Sequence, residues 1–390
     1  MTSDLLLAGA GLANSLIALA VAEARPSARI LLLDRAPGPS DLHTWSHHLT
    51  DLSADWLRRL APARRATWPD QEVRFPDHAR RLRAGYAALD GTGLARLLCD
   101  RGIEIRWNAR ITALDATGAT LADGTRLGAA CVVDGRGGRP SPHLVTGFQK
   151  FLGLELETPA PHGIARPCIM DATVSQQDGY RFIYLLPFSA TRLLIEDTRY
   201  SDGPDLDEAA LVAEVLRYAD AKGWQGAREI RRERGILPIA LAHDARAFWA
   251  DHATGAVPVG LRAGLFHPVT GYSLPVAADV ADVVADVAAR APALTTDTLR
   301  RAVQAHAIAR ADRDRFLRLL SRMMFRGCAP DQRRRLLSRF YRLPEGLIER
   351  FYAGRLTWPD RLRIVTGKPP IPIRTALACL PESPLLQEKS

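Results

Sequence analysis

The sequence predicts an α/β fold built on a doubly wound parallel sheet, and three observations carry that expectation. A short apolar strand, Asp4 to Ala8, runs straight into the glycine turn Gly9-Ala10-Gly11-Leu12-Ala13-Asn14. A second apolar strand, Arg29 to Leu33, ends on an acid, Asp34. A third, Ala129 to Val133, follows a β-meander and delivers Asp134-Gly135-Arg136-Gly137.

Each element follows from its residues. Leu5 to Ala22 carries no charge, and its length approaches that of a membrane-spanning helix. Gly9, Gly11 and Asn14 interrupt it, and no positive segment precedes it, so it reads as a buried strand, a turn and a buried helix from Ala13 to Ala24. Gly9 permits the tight turn, and Gly11, with Ala10 beside it, lets a pyrophosphate approach the backbone where the helix begins. Asn14 replaces the third glycine of such turns, a position that serves packing more than phosphate contact. Asp34, followed by Arg35, stands at the spacing from which a carboxylate accepts hydrogen bonds from an adenosine ribose.

Gly91 to Arg101 reads as a helix and Ile103 to Trp107 as a strand. Arg110 to Leu114 and Ala119 to Leu127 form the meander, turning at Asp123-Gly124. This order, closed by a strand ending in Asp134-Gly135, is similar to FAD-dependent hydroxylases and their relatives and unlike a plain NAD dehydrogenase. The loop Gly264 to Ser273 contributes Pro268, Gly271, Tyr272 and Ser273 ahead of an Ala/Val/Asp helix from Pro275 to Arg290. Such a junction offers N–H groups to a flavin pyrophosphate or ring. The class expected is a glutathione-reductase-like FAD-binding Rossmann fold with an inserted β-rich substrate domain and a helical C-terminal region. The boundaries expected are 1–140 with 255–300 for the FAD unit, 141–254 for the insert and 301–390 for the helices.

The 390 residues are 47% apolar, enough for a sizeable core in two joined domains. Five cysteines without a C-x-x-C pair argue against a disulfide framework, and the histidines lack metal-ligand spacing. The net charge of +9 is concentrated between Arg313 and Lys368, where 15 Lys/Arg face 5 Asp/Glu. No nucleic-acid motif accompanies that segment, so a nucleic-acid partner is not expected.

Several blocks together resemble the bacterial lycopene β-cyclases. They are Gly9 to Asn14, His43-Thr44-Trp45-Ser46, Asp134 to Gly137, Phe148 to Glu155, Ile169 to Thr173, Leu194 to Tyr200 and Phe266 to Ser273, in family order along essentially the whole chain. The resemblance implies an FAD enzyme at the inner face of the bacterial membrane that cyclises the ψ-ends of lycopene and related carotenoids, through γ-carotene to β-carotene. It implies that the flavin works reduced, with NAD(P)H as reductant, and that the carbon skeleton undergoes no net redox change. A flavin-dependent hydroxylase or prenyl-lipid reductase is the alternative on the same scaffold, and a non-catalytic flavin-binding or membrane-scaffold protein is a third.

Such a reaction needs a proton donor in dry surroundings and a negative or polarisable group facing the cation. Glu196 follows Leu193-Leu194-Ile195 on a strand, and a carboxyl among apolar groups keeps its proton to higher pH. The residues alone also allow a carboxylate paired with Arg192 or Arg199; the family's acidic motif, matched residue by residue, selects Glu196. Asp197 should face the other side of the sheet. Phe148, Phe151, Phe182 and Tyr184 read as core of that sheet. In the basic segment, Phe316, Leu319, Leu320 and Met323 form a stripe interleaved with Arg313, Arg315, Arg318, Arg322 and Arg326. That pattern suits a helix lying on anionic lipid, arginines at the phosphates.

Overall fold

The strand Ser3–Ala8 sits in the middle of the first sheet because its four apolar residues have no face to offer water: Leu5, Leu6, Leu7 and Ala8 are fully buried. It pairs in parallel with Ile30–Leu33 on one side and Arg126–Asp134 on the other. Across this seven-stranded sheet the order is Glu104–Arg106, Ile30–Leu33, Ser3–Ala8, Arg126–Asp134, Gly118–Leu121, Ile111–Asp115, with Val257–Pro258 alongside the end of Arg126–Asp134. The computed structural model describes residues 3–39, 43–367 and 371–388.

The helix Leu12–Ala24 is apolar on all sides and must therefore be covered on both. The sheet covers one side, and Val276, Ala277 and Ala281 of the helix Leu274–Arg290 share the core on the other. The meander turns where expected, but its third strand and the return strand are one continuous element, Arg126–Asp134.

The second sheet also has seven strands, in the order Arg228–His243, Leu144–Glu157, Arg192–Ser201, Tyr180–Pro187, Cys168–Asp171, Gln71–Phe75, His78–Leu82. Its last two strands come from the stretch that the sequence assigns to the first unit. Val73, Phe75 and Leu82 find cover only here, in the core of the second sheet, and Gln71–Phe75 pairs with Cys168–Asp171 in parallel. The chain therefore interleaves the two sheets before residue 140. A three-stranded sheet, Thr44–His48, Tyr86–Asp90 and Arg64–Trp68, completes the β structure.

The two faces of the second sheet differ in cover. Leu152, Leu154, Leu193 and Ile195 pack under the helix Glu208–Ala221. The opposite face looks towards the C-terminal helices, which begin with Thr296–Arg313 and Arg315–Arg326 and continue through Arg333–Phe340, Glu345–Tyr352, Trp358–Val365, Ile373–Ala378 and Ser383–Gln387.

Here the expectation of a lipid-facing arginine row is overturned for Arg318 and Arg322. Both are buried, at 3% exposure. Each pairs with Glu382, and Arg322 also donates to the carbonyl oxygens of Leu241, Cys379 and Leu380. Arg333 is likewise enclosed, donating to Met324 O and Tyr200 O and pairing with Asp202. A guanidinium supplies five donors in a fixed fork, which lets it fasten several chain segments at once. Phe316, Leu319, Leu320 and Met323 are half-buried and line a cavity, while the buried face of Arg315–Arg326 carries Leu317, Arg318, Ser321, Arg322, Met324 and Phe325. Among the described residues, no helix is long and apolar enough to cross a membrane.

Candidate active site

Three cavities adjoin one another. The first, about 620 Å³, opens over the glycine turn and is lined by Gly9, Ala10, Gly11, Asp34, Arg35 and Gly135 among others. Gly9 has φ of +94°, which favours glycine, and a Cβ there would lie 3.2 Å from the Gly135 carbonyl oxygen. A Cβ on Gly11 would meet nothing within 4 Å, so the turn leaves free space where a pyrophosphate would approach. Asp34 braces the turn: one oxygen accepts from Ala10 N and the other from Ala36 N, each at 2.8 Å.

Asn14 does more than replace a glycine. Its Nδ2 donates to the carbonyl oxygens of Ala8 and Gly9, at 2.9 and 2.7 Å, stapling strand to helix behind the turn. Gly135 must then lack a side chain, because a Cβ would lie 2.6 Å from that nitrogen. Asp134, by contrast, is not on the cleft wall. It pairs with Arg136 at 2.8 Å and with Arg262 at 3.3 Å. Burial opposes its charge, but the two guanidinium groups outweigh that and hold the carboxyl below its usual range. Arg136, Arg139 and Arg262 themselves line the cleft, cations that suit a diphosphate.

His43 and Trp45 are shared between this cleft and a second chamber of about 210 Å³. Gly271, Tyr272 and Ser273 line that chamber ahead of the helix Leu274–Arg290. Gly271 has φ of +66°, and a Cβ there would lie 2.7 Å from Leu237 Cβ. Pro268 turns away; its carbonyl accepts from Ala240 N and Ser321 Oγ.

Glu196 lies in the chamber wall, 8% exposed, on the strand Arg192–Ser201. Alternation along that strand puts Leu194, Glu196 and Tyr200 on the chamber side and Asp197 with Arg199 on the other. Arg192 pairs with Glu155, and Arg199 with Asp197, so neither takes Glu196. Its hydrogen-bond donor is Thr198 Oγ1, at 2.5 Å. Burial, and next the charge of Glu233, push its carboxyl well above the ordinary value, so it holds its proton at neutral pH.

Tyr184 sits across from Glu196 in the neighbouring strand, and its hydroxyl lies 2.9 Å from that of Tyr86. Asp51 faces the same chamber, pushed by burial up to about 7, and buried His48 is pushed down to about 3 and stays neutral. Phe151, Phe182 and Tyr184, expected as plain core, line the chamber instead, whereas Phe148 does not. Met170, Tyr200, Thr270 and Tyr352 are common to this chamber and a third, strongly apolar cavity of about 400 Å³ among the C-terminal helices.

A family model described as "Lycopene cyclase protein" matches residues 4–378. The chain belongs to the lycopene cyclase family. It is 69% identical over all 390 residues to a lycopene beta-cyclase of Paracoccus sp., covering 100% of both chains. It is 45% identical over 378 residues to one from Pantoea ananas, covering 97% of each. In structure it is similar to a geranylgeranyl bacteriochlorophyll reductase-like protein from Thermoplasma acidophilum, with a TM-score of 0.66 at 13% identity, covering 97% of this chain and 99% of that one. It is also similar to a flavin-dependent brominase, with a TM-score of 0.63 at 12% identity, covering 93% and 97%. At such identities the likeness is one of fold: the flavoprotein architecture, with sheets and a helical C-terminal region.

The fold thus gathers Gly9, Ala10, Gly11, Asp34, Arg35 and Gly135 at one end, with Asn14 as a prop, and Glu196, Gly271, Tyr272 and Ser273 at the other. The sequence reading missed Glu233, Arg231, Asp51 and, in the cleft, the roles of Arg136, Arg139 and Arg262. Only the alternation of Arg231 and Glu233 along their strand hinted that both face one side.

Proposed function

We propose that this enzyme holds FAD in the cleft and cyclises both ψ-ends of lycopene, through γ-carotene to β-carotene, with Glu196 as the proton donor. The observation that carries this reading is the position of Glu196. A buried, protonated carboxyl faces a chamber that adjoins the dinucleotide cleft on one side and an apolar cavity on the other. Gly11 leaves room for the pyrophosphate, Arg136, Arg139 and Arg262 face its charge, and Asp34 and Arg35 stand at the adenosine end. Gly271, Tyr272 and Ser273 border the ring end, where the helix Leu274–Arg290 begins.

The polyene lies in the apolar cavity with one end in the chamber. Glu196 gives its proton to the terminal alkene, the neighbouring double bond closes on the resulting cation, and a second proton leaves, so the product is an isomer of the substrate. Tyr184, Tyr200 and Phe182 present aromatic faces to the cation and help to exclude water. When bound and reduced by NAD(P)H, FAD supplies negative charge opposite that cation.

The membrane contact belongs to the last helices rather than to Arg318 and Arg322. Trp358 is 79% exposed, Ile373 67% and Leu362 61%, and Arg363 and Arg374 are exposed among them. Val365, Ile373 and Leu377 are at once exposed and part of the apolar cavity wall, so a lipid surface resting there would deliver a lipid-soluble substrate directly. On this reading the enzyme lies peripherally on the inner face of the membrane, with an FAD unit, a second sheet that also draws on Gln71–Phe75 and His78–Leu82, and helices at the membrane. The test is anaerobic incubation of the purified protein with reduced FAD and lycopene in vesicles. β-Carotene of unchanged mass is expected. A requirement for oxygen with a gain in mass would point to a hydroxylase, and a gain of hydrogen to a reductase; either would overturn the reading.

A further inference from the structure

Register places two carboxyls on one row of the second sheet. In the strand Leu144–Glu157, Gly153 is flanked by Glu196 on one neighbouring strand and by Glu233 on the other. Side chains two strands apart do not ordinarily meet, because the residue between them intervenes. Gly153 has no side chain to place between them, and the space over it is shared with Leu194, whose Cδ1 would lie 3.1 Å from a Cβ there. A Cβ there would lie 3.2 Å from Glu233 Cγ and 3.4 Å from Glu196 Cβ, so both side chains close over the glycine. Glu233 is buried at 3% exposure and also lines the chamber.

The two carboxyls differ in their partners. Glu233 pairs with Arg231 at 2.9 Å and accepts from Thr44 Oγ1 at 2.6 Å. Arg231 is fixed in turn by Glu155 at 3.0 Å, and Glu155 is itself held by Arg65 and Arg192. Glu196 has Thr198 and, among the described residues, no ion-pair partner; Arg231 reaches it only as a more distant charge that opposes the rise. Two carboxyls sharing a dry site cannot both ionise, and the proton settles on the one without an ion pair. Glu233 is also pushed upward, by burial first, but Arg231 and Thr44 oppose that. The other charged or titratable groups facing the pair are Tyr184 and Tyr86, Arg65, His43, and Asp197 from beneath the sheet. Asp51 and His48 line the same chamber.

We propose that Glu233 is the positioning residue of the acid: an ionised carboxylate, anchored by Arg231 and Thr44, that faces Glu196 across Gly153 and keeps its proton in place between turnovers. This rests on Glu196 being the donor. Removing the charge of Glu233 makes Glu196 ionise too early, so the loss should appear only as pH rises.

The experiment follows cyclisation by flavin-loaded Glu233→Gln across pH, alongside the infrared C=O band of the protonated carboxyl that disappears in Glu196→Gln. The alkaline limb of kcat and the titration of that band should both move down by about one pH unit or more. Activity on the acid side should stay within a few-fold of the parent, with KM unchanged. Glu233→Asp, which keeps the charge, should restore the limb. Gly153→Ala, which wedges a methyl group between the carboxyls, should move it in the same direction by less. A limb and band unmoved in Glu233→Gln, or activity lost equally at every pH, would overturn the pairing while an inactive Glu196→Gln upholds the acid. A Glu196→Gln that still cyclises, with no band missing, would overturn the acid itself.

Discussion

Glu196 and Asp197 are bonded neighbours on one strand, both enclosed, and their surroundings have almost nothing in common. Asp197, under the helix Glu208–Ala221, pairs with Arg181 at 2.8 Å and with Arg199 at 3.0 Å, and Arg181 reaches on to Glu214 of that helix. Glu196, on the chamber side, meets a hydroxyl, a second carboxylate and aromatic rings. The side with saturated charges is built to hold the sheet to its helix. On the chamber side the nearby arginines are taken by Glu155 and Glu233, and Glu196, left without an ion pair, keeps a proton available. One residue of register separates a fastening from a reagent.

The sharpest way to break that contrast is Glu196→Gln, which keeps the shape and removes the transferable proton. Turnover of lycopene with pre-reduced FAD should fall by at least about 10²–10⁴-fold. Bound flavin and its reducibility should persist. Near-normal β-carotene formation would make the two faces equivalent after all.

Gly11→Val is the complementary control, removing activity through the cofactor rather than the acid. Its side chain would project into space where nothing lies within 4 Å, so the fold should stand while flavin content falls several-fold. Retained flavin absorbance after purification would sink the assignment of this turn.

Asp197→Asn should do the opposite of Glu196→Gln. Leaving Arg181 and Arg199 short of a counter-charge should cost on the order of 3 kcal/mol, read as a lower denaturant midpoint, while the folded fraction cyclises within a few-fold of the parent. The two variants should also diverge with pH. Glu196 ionises near 4.5 once unfolded but holds its proton to higher pH in the fold, so the native state loses stability as pH rises from about 4.5 towards the raised value. Glu196→Gln has no such proton, and its melting temperature should gain on the parent's across that window. A constant difference at all pH values would mean that Glu196 is not held protonated.

The smallest expected effect on chemistry concerns the apolar end of the chamber side. Trp358→Ser with Leu362→Ser withdraws roughly 1.5–3 kcal/mol of apolar burial per side chain if both insert fully into lipid. Partition onto anionic vesicles should weaken at least tenfold, whereas detergent-dispersed lycopene is turned over as before. Unchanged vesicle binding would return that surface to ordinary solvent.

What was legible in the sequence follows the range of each interaction. The glycine turn, Asp34 and the strand ends are set by residues a few positions apart or by a repeating spacing, so the first sheet could be read almost element by element. Alternation is local, so Glu196 and Asp197 could be put on opposite faces, and the family's acidic motif chose Glu196 between them. Glu233 was not legible, because its meeting with Glu196 depends on Leu144–Glu157 entering between their strands with Gly153 in register. Arg318 and Arg322 were misread for the same reason. Their amphipathic spacing suits lipid equally well, and their partners, Leu241 and Glu382, lie some sixty to eighty positions away. Gln71 to Leu82 has the alternation of a strand, yet nothing in it says which sheet will take it.

Glu382 has a consequence for the order in which the molecule can be made. It accepts from the His243 amide and holds Arg318 and Arg322, which brace the cavity wall from behind. A growing chain therefore carries both arginines, with their apolar stripe, for some sixty residues before their counter-charge exists. Until then the second sheet and its carboxyls can form, but the roof over them stays unlatched. The greasy compartment is latched by a carboxylate made some sixty residues after the arginines it holds, and a ribosome stalled between them would leave those arginines without it.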